Sequence, residues 1–170
     1  DLVVLGQGVP FVHAGDDMLR SKSLARNSYN SGDWFNRLDF TYGGTNWGHG
    51  LPMAGDNQSN WPVMQPLLAN PSLAPATADI LAANAHLREV LAIRRSSGLF
   101  RLATAAEVES VVGFLNTGPS QVPGLIVMTL TDPARELDPS RGDLVVLFNA
   151  SDEPQVFVAA AYSGHDLALH

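Results

Sequence analysis

A chain of 170 residues and 18.2 kDa has room for one ordinary domain or two small ones. It is 45% hydrophobic and 16% charged, enough apolar surface to bury a core, which excludes global disorder. Ten basic against 17 acidic residues leave a net charge of −7, with the single lysine (Lys22) and the arginines scattered, so there is no basic stripe for a nucleic acid. The absence of cysteine excludes disulfides, a thiol nucleophile and cysteine-ligated zinc, and no apolar run is long enough to span a membrane.

The chain opens on Leu2-Val3-Val4-Leu5, with neither Met nor a signal sequence before it. Natural termini are usually polar and loose, so this start predicts a piece of a longer protein. The β-branched content of Leu2–Leu5 by itself reads as a strand. Residues 13–62 are rich in Gly, Asn, Asp and Trp, hold all three tryptophans (Trp34, Trp47, Trp61), and follow neither the helical nor the strand period. A long ordered loop of this kind is usually functional, and so many aromatic rings argue against a disordered linker.

Residues 63–75 contain Pro66, Pro71 and Pro75 and read as an extended connector. A helix then follows over residues 77–96. Thr77 is its expected N-cap, and Asp79 sits favourably at the positive end of the dipole. Ile80, Ala83, Leu87 and Leu91 form the expected apolar face, Arg94 and Arg95 lie in the last turn, and Gly98 is the expected stop. Thr104-Ala-Ala-Glu107 is a capping-box sequence that predicts a short helix near 104–111. Three β-rich runs follow, Val111–Leu115, Leu125–Thr131 and Leu144–Asn149, with a weaker fourth over Gln155–Ala160. Turn residues separate them, which predicts an antiparallel sheet or sandwich. The composition changes near residue 98.

Several chemistries fail on spacing. Gly6 and Gly8 lack the third glycine of a dinucleotide fingerprint, and no phosphate loop is present. Ser21, Ser23 and Ser28 lack the Gly-x-Ser-x-Gly setting of a serine hydrolase. His13 and His49 have no partner at metal-ligand spacing, so no metal is expected; His13 reads equally as a hydrogen-bonded wall of a site or as a structural residue. Asp16, Asp17, Asp33, Asp39 and Asp56 show no spacing that marks a catalytic pair. What remains is a loop of Trp, Tyr, Asn, Asp and Arg, which suits a sugar: ring faces stack on a pyranose, and the polar groups bond vicinal hydroxyls. A small satellite core would use the same rings.

Three stretches make the resemblance specific: Gly6-Gln-Gly-Val-Pro-Phe-Val-His-Ala-Gly15, Leu19-Arg-Ser-Lys-Ser23, and above all Arg26-Asn-Ser-Tyr-Asn-Ser-Gly-Asp-Trp-Phe-Asn36. With Leu91–Leu102 and Gly113–Gly118, they resemble the pullulanase-type α-1,6-glucosidases, the starch-debranching branch of the α-amylase superfamily, in glycoside hydrolase family 13. The resemblance implies an α+β piece: the last segment of a (β/α)8 barrel over residues 1–98, then part of an antiparallel β-sandwich over residues 99–170. Residues 1–7 would end the seventh barrel helix, which replaces the strand reading of Leu2–Leu5. Pro10–Val12 would be the eighth strand, residues 13–75 the loop after it on the face where barrel active sites lie, and residues 77–96 the eighth helix.

The resemblance also implies hydrolysis of α-1,6 branch bonds in pullulan, amylopectin or limit dextrins, with retention, by an aspartate nucleophile and a glutamate acid/base. Those motifs belong to earlier barrel strands, upstream of Asp1. No catalytic residue is therefore expected in this chain, and it is expected to be inactive alone.

Substrate-binding positions carried over by resemblance are Arg26, Asn27, Asp33 and Trp34. Asn27 stands where family members commonly carry Asp, which keeps an acceptor and loses the charge. Trp34 is either a sugar platform or a brace for the loop. Asp17 is expected to order the loop through an arginine such as Arg20 or Arg26. No cofactor is implied for this chain; calcium occurs in the family, but no stretch has the Asp-x-Asp-x-Asp-Gly spacing. The implied partner is α-glucan, with no nucleic acid and no membrane. Unpaired barrel edges leave an oligomer through exposed surfaces as a further expectation. The rival reading is a non-catalytic α-glucan-binding or structural β-sandwich module.

Overall fold

The computed structural model describes residues 1–170. They form two compact units, Asp1–Phe11 with Val90–His170, and Val12–Glu89.

The first unit is α+β. It begins with a single helical turn, α1 (Leu2–Leu5), so the helix implied by resemblance prevails over the β-branched content. Four residues cannot sustain a helix by propensity. This one holds because Val4 and Leu5 are buried and because Arg94 closes its end. The Arg94 guanidinium donates from Nη1 to the carbonyls of Val4 (2.8 Å) and Gly6 (2.7 Å), and from Nη2 to that of Gly8 (2.6 Å). The Val4 carbonyl is one of the orphan acceptors of the helix C-terminus, and those of Gly6 and Gly8 belong to the turn that follows it. Gln7 secures the same segment, donating to the Leu99 carbonyl (2.7 Å) and accepting from the Leu102 N–H (3.1 Å). Pro10–Val12 enters no ladder. A parallel strand needs a neighbour, and every strand in this chain is already placed elsewhere.

Helix α5 (Ala105–Val111) carries the predicted capping box in full: the Thr104 hydroxyl accepts from the Glu107 N–H, and the Glu107 carboxylate accepts from the Thr104 N–H (2.9 Å). Strands β1 (Val112–Phe114), β2 (Leu125–Thr131) and β3 (Asp143–Asn149) form one antiparallel sheet in the order β1-β2-β3. The register pairs Phe114 with Met128 and Met128 with Val146. As the middle strand, β2 is buried on both faces: Val127 and Thr129 on one, Met128 and Leu130 on the other. β3 is an edge, since its second side meets no strand. The predicted fourth run, Gln155–Ala160, does not supply one: Val156 and Val158 point to solvent, and the run ends in a 3-10 turn at Ala160–Tyr162. Alternating apolar character fits a strand but does not bring it a partner.

Between β2 and β3 a polar knot holds the connection. Asp132 accepts from the backbone N–H groups of Glu136 (3.2 Å), Leu137 (2.9 Å) and Asp138 (2.9 Å). Asp138 in turn accepts from the Ser140 hydroxyl (2.6 Å) and N–H, and from the Ser97 hydroxyl. Both carboxyls are buried and both are held below the usual carboxylate range, Asp132 first by the Asp138 N–H and Asp138 first by the Ser140 hydroxyl.

The second unit is mostly irregular chain, as its composition predicts. Its helices are the short α2 (Ala54–Asn57), α3 (Trp61–Leu68), and the portion of α4 (Thr77–Ser96) up to Glu89. Helix α3 overturns the extended connector. Pro62 falls in its first turn, where an N–H is not needed, and Pro66 costs one hydrogen bond in an eight-residue helix. Met64 and Leu68, four residues apart, are both buried, and that burial outweighs the missing bond. Gly48 makes room for the end of α3: its φ is +74°, and a Cβ there would lie 2.9 Å from the Leu68 carbonyl oxygen.

Helix α4 spans the predicted residues with different ends and a rotated face. Its first turn is closed by Asp79, whose carboxylate accepts from the Ala76 N–H (2.8 Å), and not by Thr77, which is already helical. It stops because Ser97 is extended and caps the following 3-10 turn, which Gly98 opens. Ile80 is fully buried, yet Leu91 is 44% exposed; Val90 and Arg94 complete the buried stripe instead.

Candidate functional site

The segment 19–46 folds as an aperiodic loop, so its shape depends on side chains that bond backbone. The Ser21 N–H donates to the Thr45 carbonyl (2.6 Å) and the Ser23 hydroxyl to that of Asn46 (2.6 Å), while the Asn46 amide donates to the Arg37 carbonyl (2.7 Å). Five non-glycine residues adopt positive φ here: Leu19, Ser23, Leu24, Tyr42 and Asn46. Each costs about 1 kcal/mol or more, a cost that gathers at functional loops.

Within this loop lies a shallow polar pocket of about 480 Å³, lined by Lys22, Ala25, Arg26, Asn27, Ser28, Tyr29 and Asn36. Its wall is a short network. Lys22 Nζ donates to the buried Ser28 hydroxyl (2.7 Å), which donates to Asn36 Oδ1 (3.1 Å), and Asn36 Nδ2 returns a bond to the Ser28 carbonyl (3.1 Å). The floor hangs on Asn57. This side chain, 1% exposed, accepts from the Arg26 N–H (3.0 Å) and donates to the Met53 carbonyl (2.9 Å). Asn27 Oδ1 accepts from the Tyr29 N–H (3.1 Å), an Asx turn that directs the Tyr29 ring outward, 94% exposed.

Of the four positions predicted for sugar binding, Arg26 and Asn27 therefore share one pocket. Asp33 and Trp34 lie outside its lining, in the 3-10 turn Asp33–Asn36. Trp34 is 39% exposed; its ring lies over Phe35 (centroids 3.6 Å apart) and 6.1 Å from the His49 ring. The ring is thus packed on its neighbour Phe35 and partly open to solvent.

The other acids are occupied. Asp17 accepts from Asn84 (2.7 Å), which corrects the expected arginine partner: Arg20 turns instead to His13, 3.3 Å from its ring nitrogens. Asp16 lies 3.7 Å from His13. Asp39 accepts from the Thr41 hydroxyl (2.6 Å) and N–H, which hold its carboxyl below the ordinary value, and Asp56 lies 3.5 Å from the Asn27 amide.

Lys22, Asn36, Asn57 and Asn84 are the residues that sequence reasoning did not place. Lys22 and Asn36 stood inside the quoted motifs, whereas Asn57 and Asn84 carry no local signal, since their partners are 31 and 67 positions away.

Comparison with known proteins bears on the whole chain. A family model described as "Alpha-1,6-glucosidases, pullulanase-type, C-terminal" matches residues 42–170. Pullulanase 1, chloroplastic, of Arabidopsis thaliana is 48% identical over 99% of this chain, and the pullulanase of Klebsiella pneumoniae is 40% identical over 98%. The chain spans only 18% and 15% of those two proteins. Among solved structures, the maltotriose complex of the Klebsiella pneumoniae pullulanase PulA superposes with a TM-score of 0.82 at 39% identity, covering 89% of this chain and 16% of that one. With more than half its length matched by the family model, the chain belongs to the pullulanase-type α-1,6-glucosidase C-terminal family.

Proposed function

We propose that this chain is the C-terminal part of a retaining debranching hydrolase that cleaves α-1,6 branch bonds in pullulan, amylopectin or limit dextrins. Its role there is to hold glucan and not to break the bond. Residues 1–98 serve as the closing segment of the catalytic barrel, with Pro10–Val12 as its last strand, and residues 99–170 open the β-sandwich.

The observation that carries this reading is the joining of Arg26 and Asn27 in one polar pocket with the exposed Tyr29 ring, on the loop whose sequence resembles the family most closely. Trp34 and Asp33 extend the same binding surface along the loop. The bound maltotriose of the matched Klebsiella structure fits a glucan ligand of this class. A retaining mechanism needs two carboxyls about 5 Å apart, one with a raised pKa to act as acid. Asp39, Glu107, Asp132 and Asp138 are each held below the usual carboxylate range by hydrogen bonds, which suits structural caps rather than a catalytic acid.

The test is twofold. The purified 170-residue chain is expected to release no reducing sugar from pullulan, and release would refute the assignment. Maltotriose at millimolar concentration is expected to change tryptophan fluorescence, with the change lost in Trp34→Ala; no change would remove the glucan-binding role.

A further inference from the structure

We propose that the Lys22–Arg26 pocket accepts a glucosyl unit carrying a phosphomonoester, so that the loop reads an anionic group on the glucan as well as its hydroxyls. The proposal rests on the glucan reading above and adds the charge class of the substrate.

It stands on the balance of donors and acceptors. The only charged side chains lining the pocket are two cations, in a chain with 17 acidic and 10 basic residues. The Arg26 guanidinium makes neither a hydrogen bond nor an ion pair; only its backbone is engaged. Lys22 Nζ gives one hydrogen to Ser28 and keeps two. Of the side-chain acceptors, Asn27 Oδ1 takes the Tyr29 N–H and Asn36 Oδ1 takes the Ser28 hydroxyl, which leaves the Tyr29 hydroxyl; the Asn27 amide is turned to Asp56, outside the lining.

A pocket rich in free donors and poor in free acceptors matches a group that only accepts. A sugar hydroxyl both gives and takes, whereas a phosphomonoester offers three acceptor oxygens and negative charge. The depression, about 480 Å³ and open to solvent, has more room than a bare phosphate would fill. The exposed Tyr29 ring beside it offers a face for the attached pyranose.

Calorimetric titration of the 170-residue chain with glucose 6-phosphate, glucose, inorganic phosphate and maltotriose tests this. Glucose 6-phosphate is expected to bind at least about tenfold tighter than either glucose or inorganic phosphate. Its advantage over glucose should shrink as salt rises. Arg26→Gln, which removes no existing hydrogen bond, should erase that advantage without moving the thermal midpoint; Lys22→Gln should do the same for binding at a small cost in stability. Equal binding of glucose 6-phosphate and glucose would overturn the proposal, as would inorganic phosphate binding as tightly as the ester. Maltotriose binding with no gain from the phosphate would sink the charge class alone and leave the glucan reading standing. Failure of all four ligands would end both.

Discussion

Replacing the buried Arg94 with Met should strongly destabilise the first unit. The methionine keeps an apolar stem of similar length but loses the fork that binds the carbonyls of Val4, Gly6 and Gly8 at 2.8, 2.7 and 2.6 Å. A hydrogen bond to a charged group contributes about 1.5–3 kcal/mol, and a buried partner left unpaired adds its own penalty. The bond to Val4 is buried and counts in full; the other two are partly buried and count for roughly half. The sum is about 3–6 kcal/mol. With a urea dependence of about 2 kcal/mol per molar, the midpoint should fall by about 1.5–3 M. Urea unfolding followed by circular dichroism measures this. Arg94→Lys should recover less than half of the loss, because one ammonium cannot span three carbonyls. A midpoint shift below about 0.5 M for Arg94→Met would show that α1 holds without its clamp, and the account of that helix would fail.

The remaining predictions concern the polar knot and the pocket floor. Asp132 and Asp138 have folded pKa values below their ordinary 3.8, so the stability they supply is complete above that value and is lost as pH falls through the folded values. Thermal melts between pH 7 and pH 2 should therefore show a steep loss only at the acid end, and Asp132→Asn should flatten it; an unchanged slope would refute the assignment. Asn57→Ala should strand the partly buried Arg26 N–H and Met53 carbonyl, costing about 2–3 kcal/mol and lowering the thermal midpoint by about 5–10 °C. It should also weaken any ligand of the pocket. A midpoint change under about 2 °C would show that the floor does not depend on Asn57.

Local chemistry was readable and long-range chemistry was not. β2 appears in the sequence with its true bounds because a central strand is apolar on both faces, which needs only adjacent residues to be seen. The capping box of α5 is equally local, since its two partners are three residues apart. Helix α3 was missed because proline counts against a helix in any local tally, while the burial of Met64 and Leu68 that offsets it depends on the folded unit. Arg94 looked like a residue that complements the α4 dipole; its actual work depends on carbonyls about ninety positions away. In the site, the motif 26–36 named the loop, and the two residues it pointed to most directly, Arg26 and Asn27, share the pocket. The scaffold under them was invisible, because an asparagine that braces a distant backbone looks like any loop asparagine.

One edge of the sheet has a consequence for handling the protein. β3 presents seven residues, Asp143–Asn149, whose outward backbone groups meet no strand, with a single charge and no proline to blunt them. A bare edge of this kind can template the pairing of one copy with the next. A lysine at the half-exposed Leu147 would be the simplest way to blunt it.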